Sequence, residues 1–285
     1  MLSLDWRPFH QIDVSRIANA RAQLHVAIQN VSAVGRRFLG DSKSDRNATL
    51  FWIPGLSRMA GHWVEGNIKF RSSISLEDFN IYLVDERVNT ISSFEVRGSN
   101  HRKIMLWLEE QIGKLGLSAG ELAIKLPYQL KEYPQLNGAP FDLDDDEAME
   151  ELGKYYHNSF LVLRELKKKL EWKQEIQIWP HHFDIAISII LKDSGDPETD
   201  TLITLGMMPG DDSNDEPYFY VSTWPHVHTS KMKPLHAPGK WIEEDWTGAI
   251  LKLDELEAFK TEDQQGQLSN FYETAFLSLI QPLTK

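Results

Sequence analysis

The residues best suited to chemistry lie in two alternating stretches of the second half of the chain. The first is Trp179-Pro180-His181-His182-Phe183-Asp184-Ile185-Ala186-Ile187. Read as a strand, its period of two puts Trp179, His181, Phe183, Ile185 and Ile187 on one face, and His182, Asp184, Ala186 and Ser188 on the other. A carboxylate beside an imidazole fixes the tautomer and raises the basicity, as both a general base and a metal ligand require. His182 and Asp184 are therefore the candidate catalytic pair. A satisfied polar contact on a solvated strand face has the same pattern. His181, sharing its face with Trp179, Phe183 and Ile185, reads as a core histidine.

The second stretch, Tyr218 to His228, sets Tyr218, Tyr220, Ser222, Trp224, His226 and His228 on one face. Two such faces would meet and line a pocket, with Trp179, Tyr218, Tyr220, Trp224 and His226 as its ligand-binding residues. Indole and phenol rings with polar edges suit sugars, nucleobases and other flat ligands, although most large aromatic side chains belong to cores. His226 and His228 lie two apart, so on a strand their rings point the same way. With His182 or Asp184 they would offer a divalent metal such as zinc three or four nitrogen and oxygen ligands. Such an ion would lower the pKa of a bound water, leaving Asp184 or Asp211 as proton acceptor. Pro225 marks the end of regular pairing, and a loop placement of both rings is the competing reading. Met207-Met208-Pro209-Gly210-Asp211-Asp212 joins a buried strand to an acidic loop and completes no calcium-loop pattern. No phosphate-binding glycine loop, nucleophile elbow, dinucleotide fingerprint or paired-histidine protease helix is present.

These stretches need a scaffold. A chain of 285 residues, 41% hydrophobic, is long enough for one large core or two fused half-size units. Its 42 acidic against 30 basic residues give a formal charge of −12, which repels nucleic acid and anionic lipid at long range. The expected partner is a small-molecule ligand; the oligomeric state is left open. The chain has no cysteine, which rules out disulfides, thiolate nucleophiles and cysteine-built metal centres. No apolar run reaches the roughly 18 residues of a membrane span, and Met1 to His10 lacks a signal-peptide core. The cytoplasm is the expected compartment.

Helical spacing predicts a first helix over 15–39, with Ile17, Ala20, Leu24, Ile28, Val31 and Phe38 facing inward. Others are predicted over about 100–115, 144–170, 254–260 and 268–279. Between them fall short alternating pieces at 49–53, 62–64, 68–72, 79–85, 92–96, 175–178, 182–191, 201–208 and 218–224. Residues 241–250 read as a strand or a loop-bound segment. The fold class is α+β: a mixed, mainly antiparallel sheet packed with long helices. Residues 1–285 form a single compact unit, built on a pattern of two similar halves, 15–116 and 144–250. The Pro/Gly-rich segment 117–143, which holds Pro127, Pro134, Gly138 and Pro140, joins them.

Leu24, His25 and Gln29 look like an LH-x-x-x-Q element, and Phe183-Asp184-Ile185-Ala186 is similar to a Phe-Asp-Leu-Ala strand. Met207-Met208-Pro209-Gly210 is similar to a Phe-Trp-Pro-Gly turn; Phe219-Tyr220 and Trp224-Pro225 are similar to a Phe-Tyr-x-Tyr-x-Tyr-Pro segment. In these motifs, and in their order from about residue 20 to 228, the chain resembles a bacterial family of uncharacterised proteins, a domain of unknown function. That family carries Trp-Gly-Ser where this chain has Pro180-His181-His182, so the resemblance assigns no role to the histidine pair. It implies positions of interest and no chemistry. Three readings remain: a binding or catalytic cleft, a metal-dependent hydrolase, and a non-enzymatic binding or interaction protein.

Overall fold

Asp13 opens the first helix by accepting the Ser15 backbone N–H at 2.8 Å. The helix, α1 (Val14–Phe38), buries every residue from Gln23 to Gly35, far more than one stripe. Its polar side chains Gln23, His25, Gln29, Asn30 and Ser32 are therefore held in the interior, where each needs hydrogen-bond partners.

The computed structural model describes residues 4–10, 12–40, 45–120, 122, 126, 128–197, 199–229, 232, 234–235, 238–243 and 246–283. Two compact units divide the chain. The N-terminal unit is Gln11–Gly153 with Ile178–Phe183; the C-terminal unit is Met1–His10, Lys154–Gln177 and Asp184–Lys285.

In the N-terminal unit, β1 (Phe51–Ile53), β2 (Arg58–Ala60), β3 (Val64–Glu65), β4 (Lys69–Ser75), β5 (Asn80–Asp85) and β6 (Thr90–Glu95) form an antiparallel sheet. Its order is β1-β2-β4-β5-β6, with β3 also on β4. α1 covers one face, where Ser72 Oγ donates to the Val31 carbonyl at 3.1 Å. α2 (His101–Lys114), capped by Asn100, packs on β6 and α1. Phe141, late in the proline-rich segment, is fully buried and bridges to Arg97, so this part of the segment is packed into the unit. Pro127 lies outside the described residues.

α3 (Asp146–Lys169) has its first turns in the N-terminal unit and the remainder in the C-terminal unit. Gln177, the first residue of the short β7 (Gln177–Ile178), belongs to the latter. There β8 (Ile185–Lys192), β9 (Thr201–Met208), β10 (Tyr218–Trp224), β11 (Lys240–Ile242) and β12 (Gly248–Lys252) pair antiparallel in the order β11-β12-β10-β9-β8. α4 (Leu253–Glu257) and α5 (Thr261–Leu283) close the unit, α5 burying Phe271, Tyr272, Ala275, Phe276 and Leu279. The fold is thus α+β, with two antiparallel sheets packed against long helices, a pattern consistent with two similar sheet-containing halves. Among the described residues no helix is long and apolar enough to cross a membrane.

Several stretches differ from the sequence expectation. β2 falls at 58–60, where no strand is predicted, and β3 begins only at Val64, the last residue of the piece predicted over 62–64. Residues 179–183 form a turn where a strand was expected: the Phe183 N–H donates to the Trp179 carbonyl at 2.6 Å, and Phe183 sits at φ 66°. Pro180, which lacks an N–H, suits a turn better than a ladder. Residues 241–250 divide between two strands, β11 and β12.

Candidate functional site

Alternation along β8, β9 and β10 sorts the C-terminal sheet into two faces. Ile185, Ile187, Ile203, Leu205, Met207, Phe219 and Val221 are buried on the side of α5. Asp184, Ala186, Ser188, Thr204, Gly206, Tyr218, Tyr220 and Ser222 lie on the other. Cross-strand register aligns Ala186, Gly206, Tyr220 and Ile250 in one row, and Ser188, Thr204, Ser222 and Gly248 in the next.

Gly206 decides what this face looks like. With no side chain there, the Tyr220 ring leans across β9 and donates its hydroxyl to Asp184 Oδ2. A Cβ on Gly206 would stand 2.7 Å from Tyr220 Cζ and Oη and 2.8 Å from the Ile185 carbonyl oxygen. Gly248 makes room in the same way for Trp246, whose Cζ3 would lie 2.6 Å from a Cβ. Trp246 stacks near-parallel to Tyr218, at 6.5 Å and 18°, and edge-on to Tyr220, at 6.0 Å and 77°. The Tyr218 hydroxyl donates to Asp211 Oδ2 at 2.5 Å, while Asp211 Oδ1 accepts the Ser213 and Asn214 backbone N–H groups, each at 2.8 Å. Ser188 and Thr204 share a 3.0 Å hydroxyl–hydroxyl bond.

Burial is the main cause raising the pKa of both phenols. For Tyr218 the hydrogen bond to Asp211 adds to it; for Tyr220 the Asp184 charge and hydrogen bond add to it. Both stay neutral donors at ordinary pH. The face combines two aromatic rings laid over glycines, two aspartates engaged by phenols, and a row of half-exposed hydroxyls from Ser188, Thr204 and Ser222.

A second polar cluster lies within the N-terminal unit. The Pro180 carbonyl accepts from His25 Nε2 at 2.9 Å and from Gln29 Nε2 at 2.7 Å. A carbonyl only accepts, so His25 is assigned the Nε2-protonated tautomer. Gln29 Oε1 accepts the Tyr128 hydroxyl at 2.7 Å, and Arg36 Nη1 donates to that hydroxyl at 3.2 Å and to Ser32 Oγ at 2.8 Å. The His25 ring stacks flat on Phe183, at 4.8 Å and 4°. Together these contacts hold the turn with Phe183 in the left-handed region, a conformation that costs a bulky residue about 1 kcal/mol or more.

His181 sits between Tyr128, Trp179 and His182, at ring separations of 5.4, 5.8 and 4.2 Å. Its Nδ1 is buried with no hydrogen-bond partner. Burial pushes the His25 pKa down to about 4; Arg21 and His182 act in the same direction, and the bond to Pro180 opposes them. His181 is pushed to about 4 by burial, then by His182 and His25. Both imidazoles are neutral at pH 7.

Of the residues expected from sequence, Asp184, Tyr218 and Tyr220 meet on one face of the C-terminal unit. Trp224 and His226 lie exposed at the end of β10 with ring centroids 5.2 Å apart, and His228 is exposed beyond them. Trp179 and His182 belong to the turn in the N-terminal unit, His182 being exposed. Among the described residues no group of three or more His, Cys, Asp or Glu side chains is arranged to hold a metal ion. Sequence reasoning missed Gly206, Gly248, Thr204 and the internal role of Gln29. The available signal was Gly206, a lone glycine inside the apolar run of β9. Comparison of the chain with protein-family models, curated proteins and solved structures finds no match.

Proposed function

We propose that the protein binds a small, neutral or cationic organic molecule on the polar face of the C-terminal sheet. The observation that carries this reading is the pairing of glycine-seated aromatic rings, Tyr220 over Gly206 and Trp246 over Gly248, with the adjoining hydroxyls of Ser188, Thr204 and Ser222. Hydroxyls donate and accept, so such a row suits a ligand with several polar groups, while the rings suit a flat or apolar face. Asp184 and Asp211 make the face acidic, which disfavours an anion. Their hydrogen bonds to Tyr220 and Tyr218 fix the rings as a prepared surface and favour recognition over proton transfer.

A panel of monosaccharides, nucleosides and aromatic amines, followed by tryptophan fluorescence and amide NMR shifts, tests this reading. A binding compound is expected to shift residues of β8, β9 and β10 and to lose about tenfold in affinity in a Ser188→Ala/Thr204→Val variant. Shifts confined to other elements, or unchanged affinity in that variant, would refute the assignment.

A further inference from the structure

The sheet face of the N-terminal unit that α1 leaves uncovered has the opposite charge character. Register places Arg58 opposite Ser75, and Ser73 between Ala60 and Tyr82; Arg71 and Ser75 flank Ser73 on β4, and Asn80 precedes Tyr82 by two on β5. All these residues share one face. Four of their polar atoms are buried with no hydrogen-bond partner: Arg58 Nε, Arg71 Nε, Ser73 Oγ and Asn80 Oδ1. Buried polar groups are nearly always paired, and each orphan costs about 1–3 kcal/mol. The three donors among them, Arg58 Nε, Arg71 Nε and Ser73 Oγ, call for a common acceptor; the Asn80 oxygen, itself an acceptor, stands apart from it.

Both guanidinium groups are held by stacking alone. Arg58 lies over the Tyr82 ring with Cζ 3.7 Å from its centroid, and Arg71 over Trp63 at 4.4 Å. Among the described residues neither forms a hydrogen bond or ion pair. Both arginines are half-buried, so part of each side chain reaches the surface. Ring stacking covers the faces of a guanidinium and leaves its in-plane N–H edge free, the edge that carboxylates and phosphates take up in bidentate fashion. A side-chain rotation that turned Nε toward a ligand would break no hydrogen bond. Nearby charges are already engaged: Lys69 with Glu65 and Glu86, and Asp78 by the Tyr82 hydroxyl. The cationic groove at the end of α3 is a weaker anion site, because Lys167 there is bound to Glu175 and the helix end is negative.

We propose that Arg58 and Arg71, with Ser73, form a binding site for the carboxylate or phosphate group of a small molecule. The test uses the full-length protein and follows arginine Nε–Hε NMR signals during separate titrations with inorganic phosphate and with citrate. Saturable shifts of the Arg58 and Arg71 signals are expected with at least one of them, and the anion that saturates identifies the oxyanion class. Arg58→Gln and Arg71→Gln are each expected to weaken that anion about tenfold or more, whereas Arg102→Gln, an exposed position on α2, leaves it unchanged. The wild-type shifts need no variant, so a poorly folding substitution leaves the test intact. Non-saturating shifts with both anions, or equal weakening by Arg102→Gln, would overturn the proposal.

Discussion

Acidification from pH 7 to pH 4 is expected to destabilise the N-terminal unit by about 6 kcal/mol through His25 and His101 alone, in roughly equal parts. Both side chains are buried, 8% and 5% exposed, and both have a pKa near 4 against an ordinary 6.5. For His101 the first cause is burial and the second is the Arg36 charge. Its place at the start of α2, where the helix dipole is positive, also disfavours a cation. The sign follows from proton uptake. Between pH 6.5 and 4 the unfolded chain has protonated these imidazoles and the folded chain has not, so stability present above pH 6.5 is lost as the pH falls to about 4. His62 and His181, also held low by burial, act in the same direction. Asp145, held near 2 by Arg16, loses its contribution only below the ordinary carboxylate value of 3.8, which separates the two windows. Urea unfolding at pH 7, 5.5 and 4 measures the effect. A His25→Gln/His101→Gln variant should be less stable at pH 7 and should show a clearly shallower loss across the window, keeping the part that His62 and His181 supply. An acid slope as steep as that of the unsubstituted protein would assign the effect to other groups.

These two histidines mark where sequence reading stops. Both lie in helices whose apolar stripes were legible: Leu24, Ile28 and Val31 in α1, and Ile104, Leu108 and Ile112 in α2, all fully buried. The stripe predicts which residues point inward but not that α1 is buried nearly all round, because that depends on elements distant in sequence. His25 and Gln29 therefore stand out only through the LH-x-x-x-Q pattern, and their shared acceptor, the Pro180 carbonyl, lies more than 150 positions away. Strands β9 and β10 were legible to the residue, since both alternate cleanly between turn signals. The turn at 179–183 was not. Its sequence alternates too, and the left-handed Phe183 is imposed by tertiary contacts with His25.

The polar faces followed the same division. Period two correctly grouped Tyr218 with Tyr220, and Asp184 with Ser188. It gave no hint that β9 separates β8 from β10, so that the two groups meet only because position 206 is glycine. In the N-terminal unit, Arg58 and Ser73 fall outside the strands predicted over 62–64 and 68–72, and only Arg71 falls inside one. Their lack of partners is a property of the packed sheet, because the many acidic residues of the chain would lead one to expect each arginine to be paired.

Gly206→Ala is expected to destabilise the C-terminal unit by about 3 kcal/mol or more. The new methyl would overlap both the Tyr220 ring and the Ile185 carbonyl oxygen, and overpacking of this kind costs about 1–3 kcal/mol. The strand cannot retreat freely, because on the α5 side the Gly206 carbonyl accepts the Tyr272 hydroxyl at 2.9 Å. The easier response is displacement of Tyr220, which strips the buried Asp184, 4% exposed, of the Tyr220 hydroxyl. Loss of a hydrogen bond to a buried charged group adds about 1–3 kcal/mol. A double-mutant cycle separates these contributions. In a Tyr220→Ala background Gly206→Ala should cost markedly less, with only the contact to the Ile185 carbonyl remaining, whereas additivity would show that the ring does not depend on the glycine. Gly266→Ala provides the contrast: it lies exposed in α5 with nothing within 4 Å of a new Cβ, and alanine there should stabilise by up to about 1 kcal/mol. Urea unfolding of all four variants supplies the comparison. On the proposed reading, the same Gly206→Ala protein should also lose the ligand shifts expected on β8 to β10, because the Tyr220 ring would no longer lean across β9.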